Sequence, residues 1–365
     1  AGSSPQAARS VAAREQKESD KAANQRLLDL AEAAQEGMLA RDRVRIERRD
    51  LERIGLLGCG GFGAVHLVEQ RGTGQAYALK SLSKGFVVKS GMQDSVRQEK
   101  AALLAVSSDF VIGLHETYSG RQHLYFLLEA ALGGELYATY QRERLYGSEP
   151  HCRFYAAATA LALDHLHQRS LIHRNVKPED LVLTETGRLK LVDMGLSKFV
   201  AGKTYTTCGT PDYFAPELIE SRGHDRAVDW WCLGILVFEL MAGDPPFSAA
   251  SPMQIYSKIM EGINRVTFPP RCEGPVGCLI RSLLQHDPDA RLPMSQGIDG
   301  IKGHRWYRGF DWPAMIACTM EPPYKPVVKS KTDISNFSAR EEDKPRQIEY
   351  VDDGSGWDRN FATAP

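Results

Sequence analysis

Two carboxylates and a lysine gather in the stretch His173-Arg174-Asn175-Val176-Lys177-Pro178-Glu179-Asp180, with Asp193-Met194-Gly195 following thirteen residues after Asp180. The apolar runs Leu181-Val182-Leu183 and Leu189-Lys190-Leu191-Val192 flank the turn Thr184-Glu185-Thr186-Gly187. That pattern predicts a β-hairpin with Asp180 at its start and Asp193 at its far end, which brings the two carboxylates near one another. Carboxylates beside Lys177 suit a magnesium nucleotide, because Mg²⁺ takes a few carboxylates plus phosphate oxygens in preference to an all-protein cage. The plainer alternative is a polar surface loop.

The upstream elements supply a setting for such a site. Leu51 to Leu57 reads as a strand leading into Gly58-Cys59-Gly60-Gly61-Phe62-Gly63-Ala64-Val65. Glycines at this spacing let a backbone approach phosphates and offer its N–H groups to them. The same spacing serves Rossmann folds, but there the loop opens into a helix. Here Ala64-Val65-His66-Leu67-Val68 continues as a strand. The next strand, Ala76-Tyr77-Ala78-Leu79-Lys80, ends in a lysine that can reach toward the glycines, and Ser95 to Val106 reads as a helix bearing Glu99. Leu124 to Ala131 is a buried strand running into Leu132-Gly133-Gly134-Glu135, and Glu149 to Gln168 is a helix that delivers the 173–180 stretch.

Composition bounds the remaining possibilities. The 365 residues, 42% of them hydrophobic, exceed the usual single core and predict two lobes. A formal net charge of −1 gives no sign of a nucleic-acid or membrane-surface binder. The longest apolar stretch, Leu233 to Ala242, contains Glu239 and is too short to span a bilayer. Seven scattered cysteines without a C-x-x-C pair favour reduced thiols in a cytoplasmic setting. The chain opens with Ala, as expected of a fragment or a processed form. Residues 1–48 read as a long exposed helix with a weak apolar stripe of Leu27, Leu28, Ala31, Ala34, Met38 and Leu39, either a solvated linker or a surface that docks on a partner or on the rest of the chain.

The stretch from His173 resembles the catalytic loop of protein kinases, H-R-D-L-x-x-x-N followed by D-F-G, with Asn175 at the Asp position and Asp180 at the Asn position. Further motifs fall in order: Cys208-Gly209-Thr210 through Ala215-Pro216-Glu217, Gly223-His224-Asp225, Asp229-Trp230-Trp231, Gly243-Asp244-Pro245-Pro246-Phe247, Asn336-Phe337 and Gly356-Trp357-Asp358-Arg359-Asn360-Phe361. Together they resemble the AGC group of serine/threonine kinases, with cyclic-GMP-dependent kinases the nearest likeness, over about residues 50–361. The implied fold is α+β and two-lobed, with an antiparallel five-stranded small lobe and a mainly helical large lobe. The expected divisions are an N-terminal helical extension (1–48), small lobe (49–131), large lobe (132–308) and C-terminal tail (309–365).

The resemblance also implies roles. ATP would be held by Gly58, Gly60, Gly63, Val65, Ala78 and Lys80, with Glu99 pairing the lysine. Leu128 would be the gatekeeper, Glu129 and Ala131 would offer backbone groups to adenine, and Glu135 would lie near the ribose. Mg²⁺ would be held by Asp180 and Asp193, and Lys177 and Thr210 would join the catalytic set. Glu135, Glu179 and Glu239 match positions that receive basic residues of a protein or peptide partner. Thr206 matches the activating phosphosite, its phosphate to be met by Arg174 and Lys198. Glu217 would pair with Arg291, and Asp229 would begin the helix that anchors the large lobe. In the tail, Trp357 and Phe361 would dock beside the Glu99 helix, and Phe337 would tether the chain near the nucleotide.

The exchange at 175 and 180 decides the function. Asn175 has no basic oxygen at neutral pH, whereas Asp180 still offers an oxygen to Mg²⁺. Three readings follow: a Mg-ATP-binding pseudokinase acting as a switch or scaffold, a slow or compensated serine/threonine kinase preferring upstream Arg or Lys, and a kinase-fold module that binds no nucleotide. Met194 in place of Phe fills the same apolar socket.

Overall fold

The computed structural model describes residues 5–39, 45–61 and 63–364, the side chains of 5–13 and 34–39 excepted. Ala34, Met38 and Leu39 of the expected stripe, and Phe62 among the glycines, therefore lie outside the described side chains. The chain folds into two compact units. One comprises residues 34–144, 178–195 and 321–365, and the other residues 1–33, 145–177 and 196–320. The fold is the two-lobed α+β architecture expected above, although the hairpin after Asp180 packs in the unit that holds the five-stranded sheet.

In chain order, helix α1 (Pro5–Leu39) precedes strands β1 (Leu51–Gly60), β2 (Gly63–Gln70) and β3 (Gln75–Ser83). Helices α2 (Lys84–Lys89) and α3 (Gln93–Ala105) come next, then β4 (Leu114–Ser119) and β5 (His123–Glu129). These five strands form one antiparallel sheet in the order β1-β2-β3-β5-β4. Strand periodicity places Val65, Leu67 and Ala78 on one face, where Leu57, Ala76 and Leu132 complete a core cluster, and His66, Val68 and Leu79 on the other. Gly63 is demanded by the neighbouring strand, since a Cβ there would lie 1.7 Å from the Ser81 carbonyl oxygen.

A second, three-stranded sheet joins β6 (Gly134–Glu135) to the hairpin, whose strands β8 (Leu181–Leu183) and β9 (Leu189–Leu191) flank the turn expected from the sequence. Helix α4 (Leu136–Glu143) belongs to this unit. The helical unit is built on α5 (Glu149–His167) and the helix Ala227–Ala242, whose residues from Ala227 to Met241 are all buried. There β7 (Leu171–Ile172) pairs with β10 (Lys198–Phe199), fixing the start of the loop at 173 against the start of the segment after 196.

Candidate functional site

In the sheet unit, β3 presents Lys80 and the buried face of α3 presents Glu99, which is 4% exposed. The lysine Nζ stands 2.6 Å from Glu99 Oε1 and 3.1 Å from Asp193 Oδ1. Burial alone would discharge the ammonium, but the Asp193 and Glu99 carboxylates outweigh it and raise the lysine's pKa, so the cation is fixed in place. Asp193 adopts φ 54°, a left-handed conformation uncommon outside glycine, and its carboxylate accepts from Gly195 N–H at 3.4 Å. Such strain persists where surroundings over-determine it, as at functional sites. Met194 beside it is 1% exposed, filling an apolar socket.

Asp180 is buried at the start of the hairpin, and its carbonyl accepts from Val192 N–H at 2.9 Å, closing the hairpin that ends at Asp193. Gly58 and Gly60 lie on β1 with Gly61 beyond, and a Cβ on any of the three would meet nothing within 4 Å, so the space above this backbone is open. Val65, Ala78 and Leu128 pack in the Leu57–Leu132 cluster together with Phe337 and Ile334 of the tail. Asn336 donates to the Leu132 carbonyl at 3.0 Å, tying the tail to the stretch after β5, where Ala131 is buried. Glu129 receives Lys190 at 2.9 Å, a pairing with no signal in the sequence. Glu135 sits on β6, and Glu179 is exposed beside Asp180.

The 173–177 loop and Thr210 lie in the helical unit. Asp229, fully buried, accepts from His173 N–H at 2.9 Å, Arg174 N–H at 2.7 Å and the His167 ring at 2.8 Å. Burial works against its charge, but the His167 ring and the loop keep the carboxyl below its usual range. These bonds hold Arg174 at φ 73°. Asn175 is 8% exposed, and its Oδ1 accepts from Thr210 N–H at 2.9 Å and Thr210 Oγ1 at 3.0 Å. Because a backbone N–H can only donate, the atom facing Thr210 is the oxygen, and the amide's other end is NH₂. Gly209 makes this possible: it takes φ 115°, and a Cβ there would come within 3.3 Å of Asn175 Oδ1. Lys177 is half-buried on the same loop. Glu239 is buried and accepts from the Tyr213 hydroxyl.

Thr206 is exposed, and near it Arg174 donates from Nε to the Leu196 carbonyl at 2.7 Å and from Nη1 to the Thr206 carbonyl at 3.5 Å. Burial, then Arg174, and more weakly Lys21 of α1 push the Lys198 pKa down. These crowded cations make the segment electropositive. Helix α1 docks on the same segment: Ala201 N–H donates to Asn24 Oδ1 at 2.8 Å, Asn24 donates to the Lys203 carbonyl at 3.0 Å, and the Tyr205 hydroxyl donates to Asp20 at 3.0 Å. Among the described side chains of α1, the buried ones are Asp20, Asn24 and Leu28, at four-residue spacing. Of the two alternatives expected for this helix, the structure shows the one that docks on the rest of the chain, though through Asp20 and Asn24 as well as Leu28 of the apolar stripe. In the same unit Arg291, 0% exposed, meets Glu217 through two bonds of 2.7 Å.

The tail closes on the sheet unit. Phe361 packs edge-on to Phe126 at 5.1 Å and its carbonyl accepts from Thr117 Oγ1 at 2.6 Å, while Lys100 of α3 donates to the Asn360 carbonyl at 2.7 Å. Lys84 pairs with Asp358 at 2.5 Å, and Trp357, the residue before Asp358, is half-buried. All seven cysteines are unpaired, and among the described residues no helix is long and apolar enough to cross a membrane.

Comparison with known proteins places this geometry. Residues 51–307 match the protein kinase domain family. The chain is 40% identical over 337 residues to isozyme 2 of cGMP-dependent protein kinase from Drosophila melanogaster, covering 89% of this chain and 36% of that protein. It is 40% identical over 316 residues to cGMP-dependent protein kinase 2 from Homo sapiens, covering 86% and 41%. The cAMP-dependent protein kinase catalytic subunit of Dictyostelium discoideum is 36% identical over 318 residues, covering 86% and 48%. The chain therefore spans less than half the length of each of these three relatives. A match across most of the fold, with the paired Lys80 and Glu99 and the strained Asp193 in sequence order, makes this chain a member of the protein kinase family, similar to its cGMP-dependent, AGC-group branch.

Proposed function

We propose that this domain binds Mg-ATP through its sheet unit and transfers the γ-phosphoryl group poorly, so that nucleotide serves as a conformational signal for a protein partner. The residues fit the ligand: the glycine backbone opens on free space, Lys80 is fixed as a cation, and Asp180 and Asp193 are carboxylates at the two ends of one hairpin. Lys80 would meet the α- and β-phosphates, Asp180 and Asp193 would hold Mg²⁺, and the metal would neutralise phosphate charge.

The observation that carries the impairment is the Asn175 amide. Both lone pairs of its oxygen are directed to Thr210, and its nitrogen can only donate. A carboxamide at this position therefore offers a substrate hydroxyl no ionised oxygen to take its proton. A positioned base contributes ~10² to 10⁴ in rate, whereas charge neutralisation and alignment carry most of a loose phosphoryl transfer, so the expected outcome is a slow enzyme or a silent one.

A timed radiolabelled γ-phosphate transfer assay on the purified chain with Mg²⁺ and an Arg-rich serine peptide, with Asp193→Ala as blank, tests this. No signal above the blank, with Mg-ATP still raising the melting temperature, supports the switch. Turnover at the level of an ordinary kinase overturns it and favours the second reading, an active serine/threonine kinase preferring basic residues upstream of the acceptor. That reading draws on the assembled Lys80, Glu99 and Asp193.

A further inference from the structure

The face of the sheet opposite the Leu57–Leu132 cluster carries a cavity of about 410 Å³, within the size range of small-molecule sites, which runs from about 300 to 1,000 Å³. Four of its walls are cationic, Arg48, Arg53, Lys344 and Arg346, and among the described residues no carboxylate lines it. The carboxylate that touches these cations from outside is Glu341, 2.5 Å from both Arg53 and Lys344. One acid shared between two cations leaves positive charge uncompensated. Arg48 lies over the Tyr125 ring at 4.7 Å, forming a flat cationic and aromatic wall.

A second observation points to an occupant. His66, on β2, lines the cavity, is 9% exposed, and its Nε2 is buried with no hydrogen-bond partner among the described residues. A buried polar atom left unpaired is costly, and here it borders a cavity from which a ligand can supply the missing partner. Burial first, then the neighbouring Arg53 and Lys344 charges, pull the ring's pKa down to about 4, against the opposing pull of Glu341, so the imidazole is neutral near pH 7. Leu79, Phe86 and Pro345 supply apolar wall beside the charges.

We propose that this cavity is a binding site for a small organic phosphate, a phosphate monoester with an apolar or aromatic body. Its oxygens would meet the guanidinium groups of Arg48 and Arg346 and the His66 ring, and its body would lie on Tyr125 and Leu79. Guanidinium forks match phosphate geometry, and the volume exceeds what a bare inorganic anion fills. The site stands on the sheet face opposite Val65 and Ala78 and does not depend on the fate of Asn175.

Phenyl phosphate is the probe, titrated into the full chain labelled with ¹³C in its histidine rings and followed by NMR. The expected result is a saturable shift of the His66 signal and an upward move of its pKa from about 4, with phenol giving no shift and inorganic phosphate binding more weakly. Arg48→Ala combined with Arg346→Ala, both exposed positions, should weaken the affinity roughly tenfold or more through loss of charge-assisted bonds. Mg-ATP binding by the double variant, read from the thermal shift, should match that of the parent. A His66 signal that ignores phenyl phosphate, or an affinity unchanged in the double variant, overturns the proposal. Inorganic phosphate binding as tightly as phenyl phosphate would show that the apolar wall contributes nothing, and would overturn the organic ligand.

Discussion

Asn175→Asp is the smallest change that tests the reading of the loop. The two side chains are isosteric, so the oxygen that accepts from Thr210 N–H at 2.9 Å and Thr210 Oγ1 at 3.0 Å stays where it is. The donor NH₂ becomes a second carboxylate oxygen, and a substrate hydroxyl gains an acceptor for its proton. If the missing base is the deficit, kcat should rise by ~10² to 10⁴, equivalent to about 3–5 kcal/mol of barrier. The KM for ATP should be unchanged, because Lys80, Glu99 and Asp193 are untouched. The assay is steady-state γ-phosphate transfer to the Arg-rich peptide by parent, Asn175→Asp, and Asn175→Asp with Asp180→Asn. The third protein restores the family's arrangement at both positions. A gain below about tenfold, or a parent already turning over at the ~1–100 s⁻¹ of ordinary kinases, would refute the argument that the amide withholds the proton acceptor. In the second case Asp180→Asn alone becomes informative, since a compensating Asp180 predicts a collapse of activity.

Arg291→Met should cost ~3–5 kcal/mol in urea unfolding, because it strands the Glu217 carboxylate in a buried site, and adding Glu217→Leu should recover much of that loss. Asn24→Ala removes two hydrogen bonds to the segment, worth ~1–3 kcal/mol together, and should speed tryptic cleavage at Lys203 while leaving the global unfolding midpoint nearly unchanged. His224 is buried, and burial, followed by the Arg174 charge, pulls its pKa from 6.5 down to about 3. Below pH 6.5 the unfolded chain takes up a proton that the folded chain refuses, so stability should fall as pH drops from 6.5 toward 3, by an amount on the order of a few kcal/mol. A His224→Gln variant should flatten that slope in a melting-temperature series over the same range.

Much of the fold was legible because its signals are local. Alternation and glycine placement around Gly58 to Val68 marked a hairpin in which the strand continued after the loop, and the turn at Thr184 to Gly187 announced the next one. Lys80 and Glu99 sit on a strand and a helix with clear periods, and Asp193 follows the hairpin, but it was the resemblance to protein kinases that made the three readable as a set. Docking of α1 on the rest of the chain stood as one of two alternatives, but its anchors were not readable, since Asp20 and Asn24 look like a solvated face until Ala201, Lys203 and Tyr205 are seen against them. Nor was the direction of the Asn175 amide, which depends on a backbone N–H thirty-five residues away. His66 gave no signal at all: a lone histidine in a strand says nothing until the surrounding cations and its unpaired nitrogen are located in space.

Asp229 supports the loop through backbone N–H groups, those of residues 173 and 174, and asks nothing of the side chain at 175. The scaffold and the chemistry are therefore separable in inheritance. A lineage can lose the proton acceptor, or regain it, by single-codon changes that leave the loop's folding intact. Such a domain can pass between messenger and enzyme without crossing an unfolded intermediate.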